Sequence, residues 1–343
     1  MKTFSMFEFP GVQNIEAAQG LIGNNRYMEN NINWNDRPLS SSITEIPNFN
    51  LANPEVIEFS GREVKYLFFN CSTERARKEE YWYGFEGLLK PREERVNSYQ
   101  AEVLLFEYNN EVKCIVFKGV TLAKTILTDC LPIDRWGERD VAQLPVTEDL
   151  LYWIFKRYID LRQSPLSPQH NMYVTALKSY AGKTRDNVNA MRGMGNRIST
   201  ILGTLAFLFN NENLKAVRPQ LQYDGEVMLI EVSLTGTCRI WEEEYQGRWL
   251  MHGGNRLTNI LAMYCFVVII PNLIDSYREN IARGVWSPQL KVEFLQSLGN
   301  EIKDQVDAEL NRLQIEIIED NDELQEEEYL DIFDVSEEDD MEE

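Results

Sequence analysis

The sequence has 343 residues, of which 43% are hydrophobic and 11% aromatic, so the chain can bury a substantial core and is not wholly disordered. Its formal net charge is −21, yet residues 319–343 contain fifteen acidic residues and no Lys or Arg, and the rest of the chain carries a net charge of only −6. The acidity therefore belongs to the C-terminal segment and not to the chain as a whole.

The N-terminal half, residues 1–146, is predicted to be rich in β-hairpins. Residues 1–60 show few periodic runs, and their segment NNINWNDRPLSSS is typical of a long surface loop. Strands are predicted at Glu63–Asn70, Ala101–Tyr108 and Val112–Lys118. The tripeptide Asn-Asn-Glu between the last two strands is turn-like, which predicts a hairpin.

The next region, residues 147–318, is predicted to be rich in helices. Thr147 is a suitable N-cap, and the acidic residues after it favour the positive end of the helix dipole. The run Met172–Tyr180 is also interpreted as helix. A single hairpin is predicted within this region, near residues 221–246, because Asp-Gly and Thr-Gly pairs flank a strand-like run.

One long helix is predicted near the C-terminus, with Ser287 as its cap and Pro288 at its first position. Apolar residues then recur every three or four positions up to Ile317, over a length of about 45 Å. A helix of this length offers a surface for a homo-oligomer. Residues 319–343 are predicted to be a disordered acidic tail, since their like charges repel one another. The expected fold class is α+β.

The cysteines indicate a reducing compartment. The five are scattered, form no CxxC pair and are odd in number, which favours reduced, buried thiols over disulfides. Glu8 and Pro10 interrupt the apolar run that a secretion signal needs. The 18 uncharged residues between Arg256 and Asp275 include Pro and Asn, and favour a buried core helix over a membrane span. We therefore expect a cytoplasmic protein with no membrane partner.

Several catalytic classes are disfavoured by the residues present. With two histidines, His170 and His252, and no paired cysteines, the sequence predicts no zinc site and no other cofactor. The tripeptide Gly182-Lys-Thr matches the end of a phosphate-binding P-loop, but Leu177 occupies the position of its first glycine. No GxSxG elbow occurs. The sequence therefore favours a non-catalytic protein.

One alternative is a metal-dependent nuclease. Nucleases of the PD-(D/E)xK type place an acidic residue on one strand and Glu-x-Lys on the next, where they bind Mg²⁺ and polarise water. The predicted hairpin at 101–118 offers this pattern, and Mg²⁺ is the cofactor that it implies. The residues that would serve are Glu102, Glu107, Glu111 and Lys113.

The clearest signal in the distribution of charge is a basic segment. Residues 161–220 contain eight Lys or Arg residues and only two acidic ones, in an otherwise acidic chain. Clustered cations of this kind are typical of proteins that bind the phosphate backbone of nucleic acid. The candidate contact residues are Lys178, Lys183, Arg185, Arg192 and Arg197. A second alternative is a sensor for a small phosphate ligand, built on residues 178–197.

The acidic tail contains a small apolar cluster that indicates a protein partner. Acidic segments with embedded apolar residues can dock into basic, apolar grooves. The residues concerned are Tyr329, Leu330, Ile332 and Phe333. Taken together, the sequence predicts a binding or assembly component of a multi-protein microbial system, which contacts a protein partner and can contact nucleic acid through residues 161–220.

Overall fold

The computed structural model describes residues 1–24, 26–30, 36–59, 61–142, 145–196 and 200–334, with the backbone alone described at Asn30 and from residue 318 onward. The strands, in chain order, are β1 (Lys2–Phe9), β2 (Tyr27–Asn30), β3 (Leu39–Glu45), β4 (Glu55–Phe59), β5 (Arg62–Ala76), β6 (Val96–Tyr108), β7 (Glu111–Val116), β8 (Asp140–Val141), β9 (Met172–Lys183), β10 (Ala190–Met194), β11 (Asn213–Tyr223), β12 (Glu226–Ser233) and β13 (Thr237–Gln246). The helices are α1 (Ile15–Gly23), α2 (Arg92–Arg95), α3 (Val120–Cys130), α4 (Ile133–Trp136), α5 (Glu148–Asp160), α6 (Leu202–Phe209), α7 (Gly254–Tyr264), α8 (Ile270–Ala282) and α9 (Pro288–Asp334).

In the described part of the chain, all thirteen strands belong to one antiparallel sheet. The strand order is β10-β9-β11-β12-β13-β1-β7-β6-β5-β3-β2, while β4 pairs with β5 and β8 pairs with β1. Strand β1 is central, because it pairs with both β13 and β7. The two halves of the chain therefore share one sheet, and the predicted boundary at residue 146 does not divide it. The α+β class is confirmed.

The N-terminal half of the sheet buries one face under α1, α3 and α4. Phe9 packs against Trp136 with ring centroids 5.5 Å apart. Side chains of α1 and α3 join those of β1, β5, β6 and β7 in a continuous apolar cluster. Burial of the apolar surface of this cluster removes it from water and supplies the main stabilising free energy of this half of the sheet.

The predicted helix-rich second half is wrong in one respect, because residues 172–246 form the five strands β9–β13. The run Met172–Tyr180, interpreted as helix, is part of β9. Its pairing with β11 contains three register shifts, which interrupt the two-residue alternation that reveals a strand. Pairing with two neighbouring strands then outweighs local preference. The hairpin predicted near 221–246 is present as β12 and β13.

A buried helical segment from Gly254 to Ala282 packs on the opposite face of the sheet from α1 and α3. Phe266 contacts Phe106 with ring centroids 5.9 Å apart. Residues Cys265–Ile269 form a wide π turn in which Ile270 N–H donates to Cys265 C=O. Because Pro271 lacks an N–H and its ring crowds the preceding turn, this widened turn lets the helix continue past it. The helical segment therefore passes Pro271 through a π bulge.

This segment is the one candidate for a membrane span among the described residues, by its length and composition. In its most apolar window, 83% of the residues are buried within the protein itself. That burial is what a core helix of a soluble protein shows. All five cysteines are buried free thiols.

The chain divides into two compact units, Met1–Ile198 with Asn213–Ser287 and Ser199–Glu212 with Pro288–Glu343. The second unit contains α6 and α9. A Cβ atom added to Gly299 would lie 2.7 Å from the Phe209 ring, so a glycine is needed where the two helices meet. Helix α9 begins at Pro288, as predicted, and its backbone continues to Asp334.

The assignment of 319–334 to α9 differs from the predicted disorder. Glu and Leu supply seven of these sixteen residues, and both are strong helix formers, which favours helix despite the four Asp residues and the repulsion between its charges. Disorder of residues 319–343 in solution stays a prediction. Residues 335–343 lie outside the described residues.

Candidate nucleic-acid interface

Four of the five predicted basic residues lie on a hairpin at one end of the sheet. Lys178 and Lys183 belong to β9, Arg192 to β10, and Arg185 to the turn between them. Asp186 orders this turn by accepting hydrogen bonds from the Thr184 hydroxyl and the Val188 amide. Lys178 Nζ donates to Asn196 Oδ1 at 2.7 Å. Arg197 lies outside the described residues.

The strand register places three of the cations on one face. Arg192 pairs with Ala181, and Arg218 on β11 pairs with Ser179. Paired residues on neighbouring strands point to the same side of a sheet, as do residues two apart on one strand. Positions 179, 181 and 183 of β9 are two residues apart and therefore point to the same side of the sheet. Lys183 and the paired residues Arg192 and Arg218 thus share this side.

A fourth cation joins this face through β12 and β13. Glu231 forms ion pairs with Arg218, at 3.4 Å, and with Arg239, its register partner on β13. The Arg218 guanidinium lies over the ring of Trp241, 3.9 Å from its centroid. We call this surface the basic face. We assign five charged residues to it: Lys183, Arg192, Arg218, Arg239 and Glu231.

The basic face is the side of the sheet opposite the one that α5 covers. Phe155 of α5 contacts Tyr180, with ring centroids 6.0 Å apart, and Tyr180 points away from its neighbours Ser179 and Ala181. Short side chains separate the cations: Ser179, Ala181 and Ala216 occupy the register positions between them. The charged groups of Lys183 and Arg192, which are exposed, therefore project beyond their neighbours.

The electrostatics of this face favour an added anion. Burial lowers the pKa of the Arg218 guanidinium from its ordinary value, and the charges of Arg192 and Arg239 lower it further, against the opposing effect of Glu231. Glu231 and Arg218 are both 8% exposed, so one carboxylate serves two guanidinium groups in a largely desolvated position. A phosphate close to this cluster would relieve the repulsion among the remaining like charges.

The nuclease alternative finds little support in the positions of its residues. Glu107 Oε2 accepts a hydrogen bond from Ile15 N at 3.1 Å, at the start of α1. Lys113 pairs in register with Phe106, so its side chain lies on the other face of the sheet from Glu107. Glu102 forms an ion pair with Lys2 at 3.0 Å. No group of three or more His, Cys, Asp or Glu residues close enough to hold a metal ion occurs among the residues that the structure describes.

Lys113 and Glu111 instead form part of a charged cavity of about 440 Å³. Lys113 Nζ lies 2.9 Å from Glu8 Oε1, 3.1 Å from Glu111 Oε2 and 5.4 Å from the centroid of the Phe266 ring. Burial disfavours its charge, but the hydrogen bonds that Lys113 donates to both carboxylates outweigh burial and raise the pKa of Lys113. It is therefore an ammonium ion at neutral pH, with no lone pair for nucleophilic or base catalysis.

The P-loop-like tripeptide and the tail complete the predicted sites. Gly182 and Lys183 end β9, and Thr184 turns the chain into antiparallel β10. A P-loop needs a helix at this point, so the segment is not one. The segment on which the sensor alternative was built contains a β-hairpin, β9–β10, and not a phosphate-binding loop. The tail residues lie in the part of α9 where the backbone alone is described: Tyr329, Leu330, Ile332 and Phe333.

Sequence reasoning did not identify Glu231, Arg239 and Trp241 as site residues. Arg239 is followed by three consecutive Glu residues, so a count of charge along the chain assigns its segment to the acidic part. The signal that could have found it is alternation along the strand, because Arg239 and Trp241 lie on one side while Glu242 lies on the other. No family model matches this chain, and no curated protein shows significant similarity to it.

Proposed function

We propose that this protein is a non-catalytic binding component that holds the phosphate backbone of a nucleic acid on its basic face. The observation that carries the proposal is the convergence of Lys183, Arg192, Arg218 and Arg239 on one side of the sheet, with Glu231 between Arg218 and Arg239. Three of these four cations are arginines, whose planar guanidinium groups match the geometry of phosphate oxygens.

The composition of the face favours contacts to the backbone over reading of sequence. Its charged groups are separated by Ser and Ala, and Trp241 is occupied by Arg218. Contacts from Lys and Arg to phosphate position a nucleic acid without specifying bases. Binding should therefore be weak to moderate, depend strongly on salt and differ little between sequences.

The test is a fluorescence anisotropy titration with labelled duplex DNA and labelled single-stranded RNA at low salt, about 50 mM. The wild-type protein is expected to bind both, and the variant Lys183→Ala/Arg192→Ala is expected to bind at least about tenfold more weakly. The matched control is Lys78→Ala/Arg278→Ala, which removes two exposed cations of the same chain. Lys78 follows β5, and Arg278 belongs to α8, which contacts α5 through Tyr277 and Trp153 and therefore lies on the other side of the sheet from the basic face. Equal affinity of the two variants would overturn the proposal.

The same samples separate a binding component from a nuclease. With Mg²⁺ present, both nucleic acids are expected to stay intact during binding. Degradation that depends on Mg²⁺ and disappears in Lys113→Ala would instead support the nuclease alternative, because a PD-(D/E)xK site depends on its lysine to polarise water.

A further inference from the structure

Helix α9 carries an exposed apolar stripe along its middle. Val306, Leu310, Leu313 and Ile317 follow one another at intervals of four, three and four residues, and are 39%, 53%, 42% and 60% exposed. Such side chains lie on one side of a helix. Earlier on the same helix, Phe294 and Leu298 are 2% and 1% exposed. The first turns of α9 are thus packed, whereas the stripe is open to solvent.

The spacing of the stripe is that of a coiled-coil seam. Alternating intervals of four and three residues keep apolar side chains facing a second helix that winds around the first. A cluster of large apolar residues exposed together marks an interaction surface more often than scattered single residues do. The geometry therefore fits a helical partner better than a flat or extended one.

Charge decides which helix can occupy the stripe. Residues 304–334 contain thirteen acidic side chains and one basic residue, Arg312. Arg312 is already paired within its own helix, at 2.5 Å from Glu309 and 2.8 Å from Glu316. A second copy of α9 would bring a second set of acidic side chains to the interface, and the repulsion would oppose pairing. A helix with lysines or arginines beside its apolar residues would gain attraction instead.

We propose that residues 306–317 of α9 are a docking surface for a basic amphipathic helix of a partner protein. The apolar stripe supplies the contact area, and the flanking acidic residues select a basic partner and its orientation. This docking surface shares no residue with the basic face, so the proposal does not depend on the binding of nucleic acid.

The probe is a synthetic helical peptide of about three heptads, with Leu and Ile at the seam positions and Lys at the flanking positions. Two control peptides accompany it: one has the same apolar pattern with Glu in place of Lys, and the other has the same composition with the apolar positions scrambled. Binding to the full chain is measured by fluorescence anisotropy at about 150 mM salt, where the Debye length is about 8 Å.

The basic seam peptide is expected to bind at least about tenfold more tightly than either control. Leu313→Ala is expected to weaken its binding at least about tenfold. The matched variant is Ile315→Ala, which removes a comparably exposed side chain, 56% against 42%, from the opposite side of the same helix. This variant is expected to bind as the wild type does.

Three results would overturn the proposal. Equal binding of the scrambled peptide, or equal loss in both variants, would mean that charge alone attracts the probe and that the stripe is not a docking surface. A dimer in sedimentation experiments that Leu313→Ala dissociates would mean that the occupant is a second copy of the chain. A monomer that retains the predicted order of peptide affinities supports the proposal.

Discussion

The guanidinium carbon of Arg218 lies over the indole of Trp241, 3.9 Å from the ring centroid. This contact restrains a cation that also forms an ion pair with Glu231 at 3.4 Å. An arginine held on both sides needs little further ordering when it meets a phosphate, which lowers the entropic cost of binding. Arg218 is therefore expected to act as the fixed element of the basic face, with the exposed Lys183 and Arg192 around it.

Glu231→Gln is expected to change affinity and stability in opposite directions. Affinity for duplex DNA should rise by roughly threefold to tenfold at low salt, because the face gains one net positive charge. The free energy of unfolding should fall by about 1–3 kcal/mol, because Arg218, which is 8% exposed, loses its carboxylate partner. Anisotropy titration and urea denaturation measure the two effects.

Glu242→Gln is the control for this prediction. Glu242 lies on the same strand as Arg239, but alternation along the strand places it on the opposite side of the sheet. The substitution changes the net charge by the same amount as Glu231→Gln. Its effect on both quantities should be small. Similar affinities of the two variants would show that position on the face does not matter.

Gly247→Ala is expected to lower the free energy of unfolding by about 1–3 kcal/mol through overpacking. An added Cβ atom would overlap the Glu226 carboxylate and lie 2.5 Å from the Tyr245 hydroxyl. Neither group can move easily: Tyr245 donates to Glu226 and accepts from Trp249 N, and Glu226 is 2% exposed. Chemical denaturation measures the loss.

The matched substitution Gly20→Ala should act in the other direction. Gly20 lies within α1, and no atom lies within 4 Å of the Cβ that the substitution would add. Alanine is preferred over glycine in a helix interior by about 0.5–1 kcal/mol, so stability should rise by a comparable amount. A loss at Gly20, or no loss at Gly247, would contradict the packing described for these two positions.

Stability is expected to fall above pH 10 in part because of Tyr277. Burial, together with the hydrogen bond that its hydroxyl donates to Asp149 at 2.6 Å, raises the pKa of Tyr277 to about 12. The ordinary pKa of tyrosine is about 10. Between these values the folded protein retains a proton that the unfolded chain loses, so the stabilising contribution is present below pH 10 and is lost as pH rises towards 12.

Tyr277→Phe removes this titration. Its free energy of unfolding should be lower than that of the wild type at pH 8, and should decline less steeply between about pH 10 and 12. Other tyrosines also contribute to the decline, since the pKa of Tyr66 is raised to about 12 as well by burial. Parallel curves for the two proteins across this range would show that Tyr277 does not titrate as described.

Local chemistry predicted some elements from the sequence. Thr147 accepts from Leu150 N at 3.2 Å as the N-cap of α5, as its residue type predicts. Asn109 and Asn110 form the predicted hairpin turn with φ of 57° and 61°, a conformation that Asn tolerates better than most residues. In each case the interaction that forms the structure lies within a few residues of the chain.

Elements that depend on distant partners were missed. Residues 1–60, for which no strand was predicted, contain the central strand β1, whose Phe4 and Phe9 are 0% and 1% exposed. Apolar residues point to both sides of β1, so the two-residue period that marks a half-buried strand is absent. The register shifts in the pairing of β9 with β11 likewise interrupt the two-residue period of β9, so this strand was not predicted.

The candidate site was predictable in part for the same reason. The density of cations along the chain indicated Lys183 and Arg192, which are close in sequence. Arg239 is brought close to them by the order of the strands, in which β11 and β12 connect β9 to β13. This order is set by pairing across the whole sheet. Charge counted along the sequence does not contain that information.

The most direct test of the basic face is the salt dependence of nucleic-acid affinity. The dissociation constant for duplex DNA is measured at several salt concentrations for the wild type and for Lys183→Ala/Arg192→Ala. Each phosphate contact contributes about −0.9 to the slope of log affinity against log salt, so the slope of the variant should be shallower by about 1.8. Equal slopes in the two proteins, or an affinity that does not change with salt, would contradict binding of the phosphate backbone at this face.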